Sequence, residues 1–181
     1  MRKLFFLPIF SFLLLTVSAC DGDESLNPLA PKNGAMFMKL DIDPNYNQLV
    51  FDEIETTAFK GLLTNDSGNV VKYELFVRRT IDNVVTQNYV LLDTYTSFPH
   101  QMEITPAKLA EALNVPVSDL KEGHVFRFLA YAYDADGKRA GFNDLSRTVQ
   151  VANFVEQGFK FNTAMTIRSK YNDQPYDNRK P

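Results

Sequence analysis

Cys20 is the only thiol in a chain of 181 residues, so any chemistry that needs sulfur runs through it. No second cysteine exists to form an intramolecular disulfide, and a free thiol is a liability in an oxidising compartment. Val17, Ser18 and Ala19 lead into it at the end of an apolar run. Thioether attachment of a diacylglycerol is the one chemistry that accounts for the cysteine, its position and the run together. His100 and His124 are the only side chains whose ordinary pKa lies near neutrality. His100 follows Phe98-Pro99 in a turn and His124 opens a strand, positions that read as solvated strand ends rather than acid–base catalysts. The chain has no G-x-S-x-G elbow, H-E-x-x-H pair, phosphate-cradling glycine loop or cysteine-rich zinc site. No catalytic residue, metal site or cofactor is expected, and the chain is read as non-enzymatic.

Acidic and aromatic side chains supply the remaining candidates. Asp134-Ala135-Asp136-Gly137 has the look of a calcium loop, but Leu145 falls where the bidentate acid belongs and Gly137 falls at the fourth position instead of the sixth. A hairpin turn explains it better. Asp41, Asp43, Asp52, Glu53 and Glu55 form another acidic stretch, read as a charged loop. Tyr89 and Tyr95, and Tyr131 with Tyr133, are the candidate ligand contacts, because exposed tyrosine rings stack on sugar faces. At a spacing of two in strands the same rings serve equally as core or cross-strand packing.

The N-terminus gives an address. Arg2 and Lys3 precede an almost wholly apolar stretch from Leu4 to Leu15, the order of a bacterial secretion signal and not of a membrane-spanning helix. Val17-Ser18-Ala19-Cys20 resembles a lipobox, after which cleavage leaves Cys20 as an acylated N-terminus. Two or three chains such as palmitate, each buried methylene contributing about 0.8 kcal/mol, make the anchoring stable. Asp21-Gly22-Asp23-Glu24 resembles the acidic export signal of Bacteroidota lipoproteins, which sends them to the outer face of the outer membrane; the plainer reading is a solvated tether. The expected division is residues 1–19 as signal peptide, 20–34 as lipidated cysteine and tether, 35–168 as one domain, and 169–181 as a disordered tail.

A domain of that size holds a real core. The net charge is −3, and no cluster of Lys and Arg along the chain marks a nucleic-acid partner. Periodicity predicts strands at 35–42, 56–64, 70–80, 88–96, 101–104 and 124–133, with edge strands at 149–151 and 158–167. In the longest, Val125, Arg127, Leu129, Tyr131 and Tyr133 share one face and Phe126, Phe128, Ala130 and Ala132 the other, which predicts a central strand covered on both sides. Thr105-Pro106 predicts a helix start, with Leu109, Ala112 and Leu113 as its apolar stripe. The fold expected is mainly β: an antiparallel immunoglobulin- or fibronectin-III-like sandwich with one short helix in a crossover.

The run Ile104-Thr105-Pro106-Ala107-Lys108-Leu109-Ala110-Glu111-Ala112-Leu113, followed by Leu120-Lys121-Glu122-Gly123-His124-Val125-Phe126-Arg127-Phe128, resembles the Ig-like surface lipoproteins of Bacteroidota. There a TP-x-x-L-A-x-A-L helix and a D-L-K-x-G-D-x-F turn precede a strand and an x-D-G hairpin. The resemblance covers about Met102 to Phe142 and specifies a fold element rather than a ligand. His124 stands where the pattern has an acid, and the chain has no tryptophan for the sugar platforms of glycan-binding members. Many such proteins are encoded beside starch-utilisation-system type transporters. The resemblance implies an outer-membrane accessory or binding module of a nutrient-uptake complex, its partner a transporter or a glycan. A structural or adhesive envelope lipoprotein that assembles through strand edges stays open beside it.

Overall fold

The computed structural model describes residues 36–147, 150 and 157–167. The expected signal peptide, Cys20 with its tether, the C-terminal tail, and Val149 and Val151 of one expected strand lie outside that range.

The alternating runs form strands. In chain order these are β1 (Met38–Ile42), β2 (Leu49–Val50), β3 (Phe59–Asn65), β4 (Lys72–Ile81), β5 (Val84–Val85), β6 (Val90–Tyr95) and β7 (His100–Ile104), then helix α1 (Pro106–Leu113), and then β8 (Val125–Tyr133), β9 (Arg139–Gly141) and β10 (Lys160–Thr166). One sheet has the order β1-β3-β7. The other runs β2-β10-β8-β4-β5, with β6 also beside β4 and β9 also beside β8. Every pairing is antiparallel except β10 with β2. This is an all-β sandwich divided as in fibronectin-III domains, with a helix in the β7–β8 crossover.

Packing follows from the period of two. Tyr73, Leu75 and Val77 of β4, with Phe126, Phe128, Ala130 and Ala132 of β8, are buried against Met38, Leu40, Phe59, Leu63, Met102 and Ile104 of the facing sheet. The rings of Phe59, Phe128 and Phe161 stack between the layers, with centroids 6.2, 5.7 and 4.7 Å apart pairwise. β8 is central, as expected, but it is not covered on both sides. Arg127 on its other face is exposed and Val125, Leu129, Tyr131 and Tyr133 are half-buried, because no second layer of the described residues lies over that face.

α1 starts where the sequence places it. Thr105 caps it by accepting a hydrogen bond from the Lys108 amide at 3.2 Å, and Pro106 occupies the first turn. Its buried stripe is Pro106, Leu109, Ala110 and Leu113, so Ala110 takes the place expected for Ala112. Counted from Pro106, these positions fall at intervals of three and four, whereas the narrower triplet began one turn too late. Two further departures concern edges. The 88–96 run forms β6, interrupted by a bulge opposite Leu75 and Phe76, and the two-residue β5 before it is unanticipated. β10 is flanked on both sides for part of its length, by β8 and by the unanticipated two-residue β2.

The turns match their residues. Asp82 and Asn83 both have positive φ, 49° and 63°, as the two central positions of a type I′ hairpin require. In the Asp134–Gly137 turn, the Asp134 carboxylate accepts the amides of Asp136 and Lys138 at 3.1 and 2.8 Å. Gly137 supplies a φ of 78°, so the hairpin reading of that segment holds.

Candidate binding face

The register of the larger sheet gathers the side chains that a ligand would meet. With Tyr73, Leu75 and Val77 turned inward, Lys72, Glu74, Phe76 and Arg78 point outward from β4. Their direct partners on β8 are Tyr133, Tyr131, Leu129 and Arg127. Leu91 of β6 extends the row beyond Phe76, and Arg139 and Gly141 of β9 lie opposite Tyr133 and Tyr131. Lys160 and Asn162 of β10 lie opposite Leu129 and Arg127. The result is an open sheet face floored by Leu91, Phe76 and Leu129.

Three of the four candidate tyrosines stand on this face or at its rim. Tyr133 donates to Glu74 Oε2 at 2.7 Å, and Lys72 reaches Glu74 Oε1 at 2.9 Å while its ammonium lies 4.0 Å from the Tyr133 ring centroid. The Tyr133 hydroxyl, then Lys72, holds the Glu74 carboxyl below the usual range despite some burial. Burial, and then the carboxylate beside it, raises the Tyr133 phenol. Tyr131 meets Phe76 edge-on at 5.9 Å and carries the Arg139 guanidinium 4.4 Å from its centroid. Its position depends on Gly141: a Cβ there would lie 2.8 and 2.9 Å from Tyr131 Cδ1 and Cε1. The ring thus fills the space that a larger residue would take on β9. Tyr89, at the rim, lies 4.7 Å from the Arg78 guanidinium.

Tyr95 is a correction. It is buried, 5 % exposed, in contact with Tyr73 at 6.0 Å and His100 at 4.5 Å. The bulge in β6 turns it inward, away from the face that carries the other three. Burial, reinforced by the neighbouring Asp93 carboxylate, raises its phenol far above the usual value. Burial by itself would raise Asp93, but Lys108, the Tyr95 hydroxyl and the Thr94 amide outweigh it and hold the carboxyl low. The Asp93–Lys108 ion pair joins α1 to β6, so this cluster positions the crossover helix.

His124 is not the solvated strand end that its sequence position suggests. It is buried, and its Nδ1 accepts the Lys121 amide at 3.2 Å across the turn that opens β8. Burial, with Arg79 and Lys121 nearby, lowers its pKa against the opposing pull of Asp82. As pH falls below about 6.5, the unfolded chain takes up a proton that the folded chain resists, so stability falls until the lowered folded value is passed. Thermal midpoints are expected to drop across that window and to drop less in His124→Gln. Glu74 and Asp93 lose their contributions only in more acidic solution, because their folded pKa values lie below the ordinary carboxylate range. An identical pH profile in the variant would exclude His124 as the source.

No group of three or more His, Cys, Asp or Glu able to hold a metal occurs among the described residues, and no described helix is long and apolar enough to cross a membrane. The residues that sequence reading missed as site residues are Phe76, Arg78 and Arg139, which the β4–β8–β9 register brings to the face of Arg127, Tyr131 and Tyr133. A search against family models finds no match, and the curated proteins also yield none.

Proposed function

We propose that the chain is a lipid-anchored binding module on the outer membrane, an accessory of a nutrient-uptake complex, with the open face of the larger sheet as its contact surface. The observation that carries this reading is the placement of Phe76, Tyr131 and Tyr133 together on the sheet face that no second layer of the described residues covers. An exposed antiparallel face ordinarily takes polar residues. Rings held there by Lys72, Glu74 and Arg139 form a semi-rigid platform suited to the apolar face of a sugar. The Arg2–Cys20 segment supports the address, with Cys20 as the acylated residue.

Metabolic labelling with palmitate is expected to mark the chain and to be lost in Cys20→Ser, while a membrane-impermeant reagent labels intact cells. In a glycan array, the double change Tyr131→Ala and Tyr133→Ala is expected to weaken binding about tenfold or more. Retention of full affinity would remove the face from the proposal. The second reading, a structural or adhesive lipoprotein, draws on the outer edge of the sheet, where Val84, Val85 and Leu91 are exposed at 65, 46 and 50 %. Concentration-dependent self-association abolished by Val84→Lys would favour it.

A further inference from the structure

The open face has a charge pattern that the sugar-platform reading leaves unused. Arg78 of β4 lies directly opposite Arg127 of β8. Like charges so placed oppose folding, so the arrangement adds nothing to the sandwich itself. Ion pairs among the described residues join Lys60 to Glu103, Lys72 to Glu74 and Lys108 to Asp93; neither arginine belongs to one of them. Arg78 Nε is buried without a hydrogen-bond partner, and the Tyr89 ring holds its guanidinium in place. Around the pair the strands of the face present Lys72, Arg139 and Lys160 against the carboxylate of Glu74, which Lys72 and Tyr133 already engage, while Asp144 beside β9 accepts the Gly141 amide. The chain as a whole carries −3, so this positive field is local.

We infer that the face binds an acidic polysaccharide, with carboxylate or sulfate groups on Arg78 and Arg127 and sugar rings over Phe76, Leu129 and Tyr131. The inference rests on the binding-module reading and names its ligand class. Guanidinium is the side chain whose planar fork matches a carboxylate or sulfate in two parallel hydrogen bonds. Along β8, the outward positions run from the charge of Arg127 through the apolar Leu129 to the rings of Tyr131 and Tyr133, at about 6.5–7 Å per step. A polymer that offers both an anion and a ring face in its repeat matches such a face. The secretion signal directs the chain to the envelope, where polysaccharides rather than nucleic acids are met.

The test uses the full chain, purified from membranes in a non-ionic detergent. Affinity is measured for polygalacturonate and dextran sulfate, and for methyl-esterified polygalacturonate and amylose as neutral counterparts. Polygalacturonate or dextran sulfate is expected to bind in a salt-dependent manner and to lose about tenfold in each of Arg78→Gln and Arg127→Gln. Arg127→Lys, which keeps the charge but not the fork, is expected to fall between. The thermal midpoint of Arg127→Gln is expected to be no lower than that of the parent, since repulsion is relieved; a drop matching the binding loss would make the arginine structural and overturn the inference. Equal binding of the neutral polymers, unaffected by the arginine changes, would overturn the acidic preference yet leave the binding module standing. No binding of any polysaccharide would remove both. Competition at equal charge by single-stranded DNA or phosphatidylglycerol vesicles would also overturn it, by showing an unselective anion surface.

Discussion

Phe128→Ala is expected to destabilise the sandwich by about 3–5 kcal/mol, a large share of what a domain of this size has in total. Phe128 is wholly buried in the central strand β8 and stacks on Phe59 of the opposite sheet and Phe161 of its neighbour β10. Removing its ring takes one member from a three-ring cluster that spans both layers and leaves a void beside Phe59 and Phe161. Neighbours on paired strands are fixed by their ladders and cannot move far into the void, which puts the cost in the upper range for an aromatic truncation. The expected readout is a urea midpoint shifted strongly down with little change in slope. A loss below about 1 kcal/mol would show that Phe59 and Phe161 close over the gap, and would undo the account of the core given above.

Tyr73→Phe is expected to cost about 1–3 kcal/mol while leaving the core volume intact. The Tyr73 hydroxyl donates to the Gly158 carbonyl, and Tyr73 is fully buried. Gly158 in turn donates its amide to Met38 O at 2.9 Å, so one phenol fixes the segment that joins the last strand to the first. Phenylalanine fills the same space but leaves a buried carbonyl unsatisfied, and that desolvation accounts for the loss. The alkaline limb should change as well. Burial, then Tyr95, keeps the Tyr73 phenol neutral well above its ordinary pKa. Unfolded tyrosine ionises near pH 10, so stability falls as pH rises past that point. Tyr73→Phe is expected to flatten this limb, although Tyr95 and Tyr133, both raised, continue to contribute. Denaturation curves at pH 8 and pH 11 would check it; equal losses in parent and variant between those values would contradict it.

The sandwich was legible because its strands obey a period of two with few exceptions. β4 and β8 bury alternate residues along almost their entire length, and the Thr105-Pro106 start of α1 is a local signal that needs no tertiary context. The errors arose where tertiary contacts outweigh the local pattern. The bulge in β6 rotates Tyr95 inward while Leu91 stays outside, and no residue type between them announces it. β2 is too short for periodicity to show, since its two residues are fixed by pairing with Met165 and Thr166. The candidate face was half legible. Tyr131 and Tyr133 declare a shared face by spacing alone, but their neighbours Phe76 and Arg78 are far off in sequence, and strand register is a tertiary property. His124 shows the same limit: a polar residue beside a glycine reads as surface until Lys121 folds back over it.

The seam at Gly158 also bears on force. In a copy tethered through Cys20, as proposed, drag on a captured polymer reaches the described residues at Met36. The first bonds loaded along the described residues are the Phe37 amide to Ser67 Oγ at 3.0 Å and the Gly158 amide to Met38 O at 2.9 Å. The five-residue ladder of β1 on β3 comes next. The last strand's lead-in thus clamps the N-terminal end of the first strand, so β1 cannot peel from that end until the clamp opens. Mechanical rupture would then begin at the Met38–Gly158 clamp, away from the ring cluster around Phe128 that dominates the stability read in denaturant.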